Sequence, residues 1–586
     1  MDNEAYLYGL RTSFNMFRSE TSLRYPRNRD LNADFDPESY LIQNTDDMVS
    51  SFIRNTIPLR LIKTDTLEFV TPYEVQQEAM DGIRAAIAAQ LRYALEKVAA
   101  TSDFEPEAQD IIDVLEGLVT GAVKETVRYS ILSHRWDAGE LDMKDMHVIS
   151  KITLADIQHV KNSSSGLVPK ESLLTALAKA ALNAPLEDSD VPKQPIIDAL
   201  KCLVEDPKFG ALNNGPSTRF NGFHKLVHFC YVSLNEHGHK YAWIDTCCID
   251  KTSSAELDES IRSMFKWYLQ SSMCIIHLGR SACGSGAGKK DEPDDWTSDP
   301  WFTRGWTLQE LLAPKAVKFY DANWERLTDD LNDKALPVIS GIGSDSDSIL
   351  QIVSRITSIP IPDLVGFTPG KDNIRNRLRW ASNRKTTRVE DQAYCLLGIF
   401  DVDMSIAYGE GDNAFHRLQV AIIGESSDRS VFLWGGRHSR KSTMLAKEPA
   451  CFAWPYPVLM HDFDESQRDS SIDPTFMLTN HGLKIAVSLY NEHFTRRWLL
   501  DSHESYRPRN VPPQLDMLAS QDYRLAVLGY SKPGGREKRG APAVAVVMLL
   551  LRVESVNNVY YTRHPLVPQL GYFMEPPGAP EVIFIR

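Results

Sequence analysis

Apolar positions along the chain change period several times, and each change marks an expected element. Between residues 72 and 127, Ile83, Ile87, Leu91 and Leu95, then Ile111, Ile112, Leu115 and Leu118, recur at the spacing of one helix face, with SDFEP as a break between the runs. A helical hairpin is predicted there. From 129 to 320 four short apolar runs, YSILS, YAWID, MCIIHL and AVKFY, alternate with helical patterns, the rhythm of a parallel α/β sheet. Because each run is short, apolar and followed by a helical crossover, the four are predicted to lie side by side and parallel. The clearest crossover helix follows YAWID: Ser253 and Glu256 have capping-box spacing, and Ile261, Met264, Phe265, Tyr268 and Leu269 continue at helical spacing.

The remaining pattern divides the chain. Residues 1–57 show no sustained period and read as a loosely ordered arm. An α/β domain is expected over 58–324, with helical insertions at about 72–127 and 150–220 placed at its periphery, where compact domains tolerate additions. A linker at 325–371, a helical segment at 372–427 and a β-rich domain at 428–586 complete the expected organisation; in the last, short apolar segments alternate with Gly and Pro. No internal repeat is found.

Composition narrows the function classes. At 586 residues the chain exceeds one hydrophobic core, and 43% hydrophobic with 24% charged residues excludes a collagen, a disulfide miniprotein and a wholly disordered chain. With 64 Lys and Arg against 78 Asp and Glu, the net charge of -14 disfavours the phosphate backbone, so no nucleic-acid partner is expected. The N-terminus, MDNEAYLYGL, lacks the basic region of a secretory signal, and APAVAVVMLLLRV near 541–553 is shorter than the roughly 20 residues that span a bilayer. That run reads as a buried strand, and no membrane insertion is expected. Eight cysteines without a CxxC fit a reduced, cytoplasmic protein, and no metal site is expected.

Four passages resemble the fungal heterokaryon incompatibility (HET) domain: LRLIKTDTLEF at 59–69, YSILSHRWD at 129–137, YAWIDTCCIDKTSSAEL at 241–257 and WFTRGWTLQELLAP at 301–314. A fifth, at 380–419, resembles the segment that follows this domain. The chain departs from the pattern in its helical insertions and in Asp137, where the family usually has Gly. The resemblance implies non-self recognition during cell fusion, the triggering of cell death, self-association on activation and an unidentified incompatibility partner. HET domains in turn resemble TIR domains. That implies a TIR-like doubly wound parallel sheet with helical insertions, followed by the helical segment and the β-rich C-terminal domain. In the TIR pattern SxWCLxEL, Trp306 matches the Trp, Thr307 replaces Cys, and Glu310 matches the glutamate that cleaves the nicotinamide bond. The resemblance therefore implies Glu310 as catalytic residue and NAD as substrate, with no cofactor required.

Open α/β sheets bind ligands beyond the carboxyl ends of their strands, where strand order reverses. Ser133, His134, Arg135, Trp136, Asp245, Trp306 and Glu310 are expected to gather there. Arg135 suits a phosphate, Trp136 a base, and Glu310 the ribose hydroxyls and the oxocarbenium-like centre left as nicotinamide departs. Asp299 and Pro300 read as the start of one helix that aligns Thr303, Thr307 and Glu310. The bland alternatives are an exposed helix position for Glu310 and backbone caps for Ser133, His134 and Arg135. Asp250 reads as loop-bracing, Cys247 and Cys248 as buried and inert, and YGEGDN at 408–413 as a turn into a capped helix. CGSGAGKK at 283–290 fails the P-loop pattern, and His224 with His228 lacks further zinc ligands. Arg384, Lys385 and Arg388 are expected to pair with acids such as Glu390 and Asp391. A gating role falls to the loop at 279–298. The rival class is a noncatalytic self-association module.

Overall fold

The computed structural model describes residues 37–101, 108–136, 139–146, 217–280, 295–336, 348–453, 475–501, 522–531, 543–555, 558–563, 569–573 and 580–586. They form two compact units, one made of Met1–Trp301 and Glu310–Ile352, the other of Phe302–Gln309 and Val353–Arg586.

The first unit opens with α1 (Pro37–Thr56), inside the stretch expected to be a loose arm. The correction has a visible cause. Leu41, Thr45, Val49 and Ile53 are all buried at four-residue spacing, and the threonine that interrupts the apolar stripe turns its hydroxyl onto the Leu41 carbonyl at 2.5 Å. α2 (Pro72–Thr101) and α3 (Ala108–Thr126) form the expected hairpin and pack with α1. The SDFEP break and the insertion at 150–220, apart from its last residues, lie outside the described residues.

The sheet runs β2-β1-β4-β3-β5-β6, from β1 (Leu61–Lys63), β2 (Phe69–Val70), β3 (Tyr129–His134), β4 (Tyr241–Trp243), β5 (Met273–His277) and β6 (Val317–Tyr320). All pairings among β3, β4, β5 and β6 are parallel, as expected from the four apolar runs. LRLIKTDTLEF adds an antiparallel hairpin at the edge beside β4, turning through Leu67 at φ 61°. Helices cover both faces. α4 (Ser217–Asn235) links β3 to β4, and α5 (Ser254–Gln270) links β4 to β5. The Tyr129 hydroxyl donates to the Trp267 carbonyl of α5 at 2.5 Å, while Ser130, one residue on, meets His239 beyond α4 on the other face.

α5 begins as predicted: the Ser253 hydroxyl accepts from the Glu256 amide at 3.3 Å, and Ile261, Met264, Phe265 and Tyr268 are buried. Glu256 itself reaches the Asp250 amide and Arg60 rather than closing the capping box. The single helix expected from Pro300 through Glu310 is broken. A 3-10 turn at Pro300–Thr303 and α6 (Thr307–Leu312) are separated where Arg304 bridges to Lys385, with the Gly305 amide donating to the Lys385 carbonyl at 2.8 Å. Gly305 is required there, because a Cβ would lie 2.4 Å from the Thr386 methyl.

The chain after β6 is not a free linker: Asp333 is buried and bonds the Phe319 amide at 2.7 Å. Lys334, 2% exposed, donates to the Pro314 carbonyl at 2.7 Å and the Leu312 carbonyl at 3.3 Å, closing the end of α6. α7 (Ile349–Thr357) and α8 (Ile361–Gly366) follow.

The second unit holds α9 (Ile374–Ala381), single helical turns at Asp391–Tyr394 and Leu397–Phe400, and α10 (Asn413–Glu425), in agreement with the helical segment. YGEGDN turns on Gly409 and Gly411, both at positive φ, whose amides donate to Glu390, though Asp412 makes no side-chain cap. In the basic cluster the Arg388 charge acts on Glu390 and Asp391, as expected, while its guanidinium lies 4.3 Å over the Tyr408 ring, and Arg384 donates to the Arg304 carbonyl and Thr307 hydroxyl.

The β-rich region carries β7 (Phe476–Thr479), β8 (Gly482–Leu489), α11 (Glu492–Asp501), β9 (Tyr523–Ser531), β10 (Ala543–Ser555), β11 (Asn558–Arg563), β12 (Gln569–Phe573) and β13 (Pro580–Ile585). Strands β8, β9, β10, β11 and β13 pair in a closed ring, with β7 on β8 and β12 on β10. The apolar run at 541–553 is mostly β10, and no described helix is long and apolar enough to cross a membrane.

Lys334 makes the first unit pH-sensitive. Burial pushes its ammonium down to about 7. Since an unfolded lysine titrates near 10.4, the unfolded chain binds more protons between these values and stability rises with pH, by up to about 1.4 kcal/mol per unit. The change in urea midpoint from pH 7 to pH 9 should be more positive in the native chain than in Lys334→Met, and equal changes in the two would remove Lys334 as the source.

Candidate functional site

Among the parallel strands the spatial order is β4-β3-β5-β6, so the chain reverses direction across the sheet between β3 and β5. His134 and His277 face each other in register at their carboxyl ends. Consecutive strand residues point to opposite faces, and this separates the residues predicted to meet.

On one face, the Ser133 hydroxyl donates to Glu310 Oε2 at 2.5 Å and accepts from Trp301 Nε1 at 2.8 Å. Glu310 is 4% exposed, which removes the exposed-helix alternative and also the expected open cleft. The Cys274 thiol sits 3.6 Å from the Glu310 carbonyl, and burial and the Glu310 charge push its pKa up. Asp299 does act as a cap, its Oδ1 accepting from the Trp301 amide at 2.8 Å, and so fixes the indole that reaches Ser133.

The other face holds His134, with Nε2 3.5 Å from Glu140 and Nδ1 4.0 Å from Asp245. Glu140 also pairs with Lys225 of α4. Burial opposes ionisation of Glu140, but the charges of His134 and Lys225 outweigh it and hold the carboxyl well below the usual range. Asp245 Oδ2 accepts from Trp136 Nε1 at 2.8 Å, and Lys251 stands 3.9 Å over that indole, holding a 43% exposed Trp in place. His277 stacks on Trp324 at 4.4 Å, and burial with the Lys225 charge pushes its imidazole down to about 3, so it is neutral at physiological pH. Four buried polar atoms here lack a hydrogen-bond partner among the described residues: His134 Nε2, Arg135 Nη1, Asp245 Oδ1 and His277 Nε2.

The structure thus brings Ser133 to Glu310, and His134, Trp136 and Asp245 to one another, but it does not join the two sets. Trp306 belongs to neither; it hydrogen-bonds Asp391 in the second unit. Glu140, Lys225, His277 and Trp301 were missed. The histidine ending the apolar run MCIIH was a usable signal; Glu140 and Lys225 sit in loop and helix contexts that give none. Asp250 braces its loop through the Thr252 amide at 2.9 Å. Cys247 and Cys248 are buried; the hydrogen bond between them and burial push the Cys247 thiol up. His228 stacks on Trp324, the side chain of His224 and residues 281–294 lie outside the described residues, and no metal-binding group occurs among those described.

A family model described as "Heterokaryon incompatibility protein (HET)" matches residues 221–295, which include Lys225, Asp245, Lys251 and His277. The vegetative incompatibility protein HET-E-1 of Podospora anserina is 35% identical over 247 residues, 42% of this chain and 17% of that protein. Both matches support the heterokaryon incompatibility family. The chain spans 17% of the length of this curated relative, and no solved structure matches it.

Two substitutions probe how the two faces are built. Ser133→Ala leaves a buried carboxylate and an indole N–H short of a partner, and should lower stability by about 1–3 kcal/mol. At Gly222, a Cβ would lie 2.3 Å from the Gly139 carbonyl beside Glu140, so Gly222→Ala should cost about 1–3 kcal/mol by overpacking. Denaturant titrations check both.

Proposed function

We propose that this chain acts in heterokaryon incompatibility as a cytoplasmic non-self recognition protein that triggers programmed cell death, together with an incompatibility partner and by self-association. We further propose that its α/β unit works by TIR-like hydrolysis of NAD or a related nucleotide, with Glu310 as the key carboxylate. The observation that carries a ligand site is the buried polar concentration on the His134 face of the strand reversal, where atoms of His134, Asp245 and His277 make no hydrogen bond among the described residues and a fixed, exposed Trp136 stands beside Arg135; Glu310 lies on the opposite face, and its role rests on the motif resemblance. The family match supports the incompatibility role.

Hydrolysis breaks the bond from ribose C1′ to the nicotinamide nitrogen, whose electron pair leaves with neutral nicotinamide; water adds to C1′ and its proton passes to solvent. Glu310, enclosed by Ser133 and Trp301, must become reachable for this, which fits a protein that is silent at rest and opens on clustering.

The same enclosure favours a second reading, in which Glu310 is a structural acceptor and the unit signals by association alone. Purified chain, with and without forced dimerisation, should release free nicotinamide from NAD, faster when clustered, and Glu310→Gln should reduce the rate by about 100-fold or more. A Glu310→Gln protein with an unchanged thermal midpoint and undiminished release would remove Glu310 from the chemistry. No release from the clustered native chain would leave the noncatalytic reading.

A further inference from the structure

α6 is six residues long, well short of the roughly 12–15 that a helix needs to persist alone in water, so its place depends on the apolar face it buries and on what holds its ends. The face is Leu308, Leu311 and Leu312, all buried. The division between the two units falls inside the helix: Thr307, Leu308 and Gln309 belong to the second, whereas Glu310, Leu311 and Leu312 belong to the first. In the first unit the holds are the Ser133 hydroxyl on Glu310 at 2.5 Å and Lys334 Nζ on the Leu312 carbonyl at 3.3 Å. Those in the second unit gather at the start of the helix and come from residues 384–391.

Arg384 is the centre of that group. Its Nη1 donates to the Thr307 hydroxyl at 2.8 Å and to the Arg304 carbonyl at 2.9 Å, and its Nε donates to the Trp380 carbonyl of α9 at 3.2 Å. The Thr307 hydroxyl in turn donates to the same Arg304 carbonyl at 2.9 Å, so guanidinium, hydroxyl and carbonyl close a small ring around the first residue of α6. The Lys385 main chain adds two bonds: its amide donates to the Thr303 carbonyl at 2.7 Å, and its carbonyl accepts from the Gly305 amide at 2.8 Å. Trp306, between these ties, hydrogen-bonds Asp391. A lysine at 384 would not reproduce the arrangement, because the planar fork spreads its donors along Nε and Nη1 while an ammonium presents them from one point.

We propose that Arg384 is a positioning residue for Glu310: with the Lys385 main chain it clamps the start of α6 and keeps the carboxylate shut against Ser133, and release of this clamp is the step that opens the site. The inference rests on the reading above, in which Glu310 must become reachable. Thr307 and Glu310 stand at i and i+3, one turn apart on the same side of the helix, so displacing the first carries the second with it. The signal runs through the helix backbone itself. Loss of Arg384 takes a charge-assisted donor from both Thr307 and the Arg304 carbonyl, which shifts the balance of α6 from closed toward open. An arginine that merely braced the fold would act differently, because its loss would loosen buried groups at large rather than one carboxylate.

The test labels the carboxyl groups of the full chain with a carbodiimide and glycine ethyl ester and reads Glu310 by mass spectrometry. Glu310 should react far more slowly in the native chain than in the urea-unfolded one, and Arg384→Met, which keeps the apolar stem and removes the donors, should raise its rate about tenfold or more. Asp333, buried in the same unit as Glu310, is the internal reference and should keep its native rate. A native rate equal to the unfolded one, or no rise in the variant, overturns the proposal. So does an equal rise at Asp333, which would make Arg384 a general brace. A second arm needs no variant to fold: in hydrogen exchange of the native chain, the Gly305 and Lys385 amides and those of α6 should open together, with protection agreeing within about tenfold, and a wider spread overturns the proposal. Nicotinamide release from NAD is measured on the same samples. Labelling that rises with release supports both inferences, whereas labelling that rises without release supports the clamp and removes the hydrolase reading.

Discussion

Strand β3 sets the terms for the first unit, because it lies between β4 and β5 and ends in two consecutive polar residues that point to opposite faces. Each must be satisfied where water does not reach. Ser133 is satisfied by Glu310 and Trp301, and so draws the segment after the 3-10 turn against the sheet. His134 lies between Glu140 and Asp245, and so ties α4, through Lys225, and the loop after β4 to the same edge. Removing either partner leaves a buried charge or dipole uncompensated, which costs more than the bond itself contributes.

The two faces differ in consequence. The Glu310 side is closed and paired, which suits a structural tie or a masked catalytic group. The His134 side retains unmatched atoms next to an indole fixed by Asp245 and Lys251, and that imbalance is what a ligand could relieve. His277, held neutral by burial, adds a lone pair rather than a charge to this side.

The second unit uses a different device: buried guanidinium groups that meet carbonyls. Arg563 donates to the Phe432 and Trp434 carbonyls and lies 3.7 Å over the Trp434 ring; burial pushes it down to about 9. Arg377 likewise donates to the Ile399 carbonyl at 2.6 Å and the Thr368 carbonyl at 2.9 Å. The planar fork of arginine, with five donors, can tie several loop carbonyls at once, so chain that lacks regular pairing is nevertheless fixed.

Much of the first unit was legible in the sequence. The four apolar runs, the helical hairpin and α5 with its Ser253 cap all follow from local periodicity, which reports the face each element buries, whereas the order of the strands does not. α1 was legible in principle, but Thr45 in its stripe hid the period. Tertiary structure alone decided the rest. Glu310 finds Ser133 across 177 residues, the expected single helix breaks because Gly305 pairs with Lys385, and Trp306 turns to Asp391. The ring of strands is likewise set by pairings between distant segments, such as β8 with β13. Local pattern tells a residue that it will be buried. Its partner is chosen by the packing of elements far apart in the chain, and no short-range signal carries that choice.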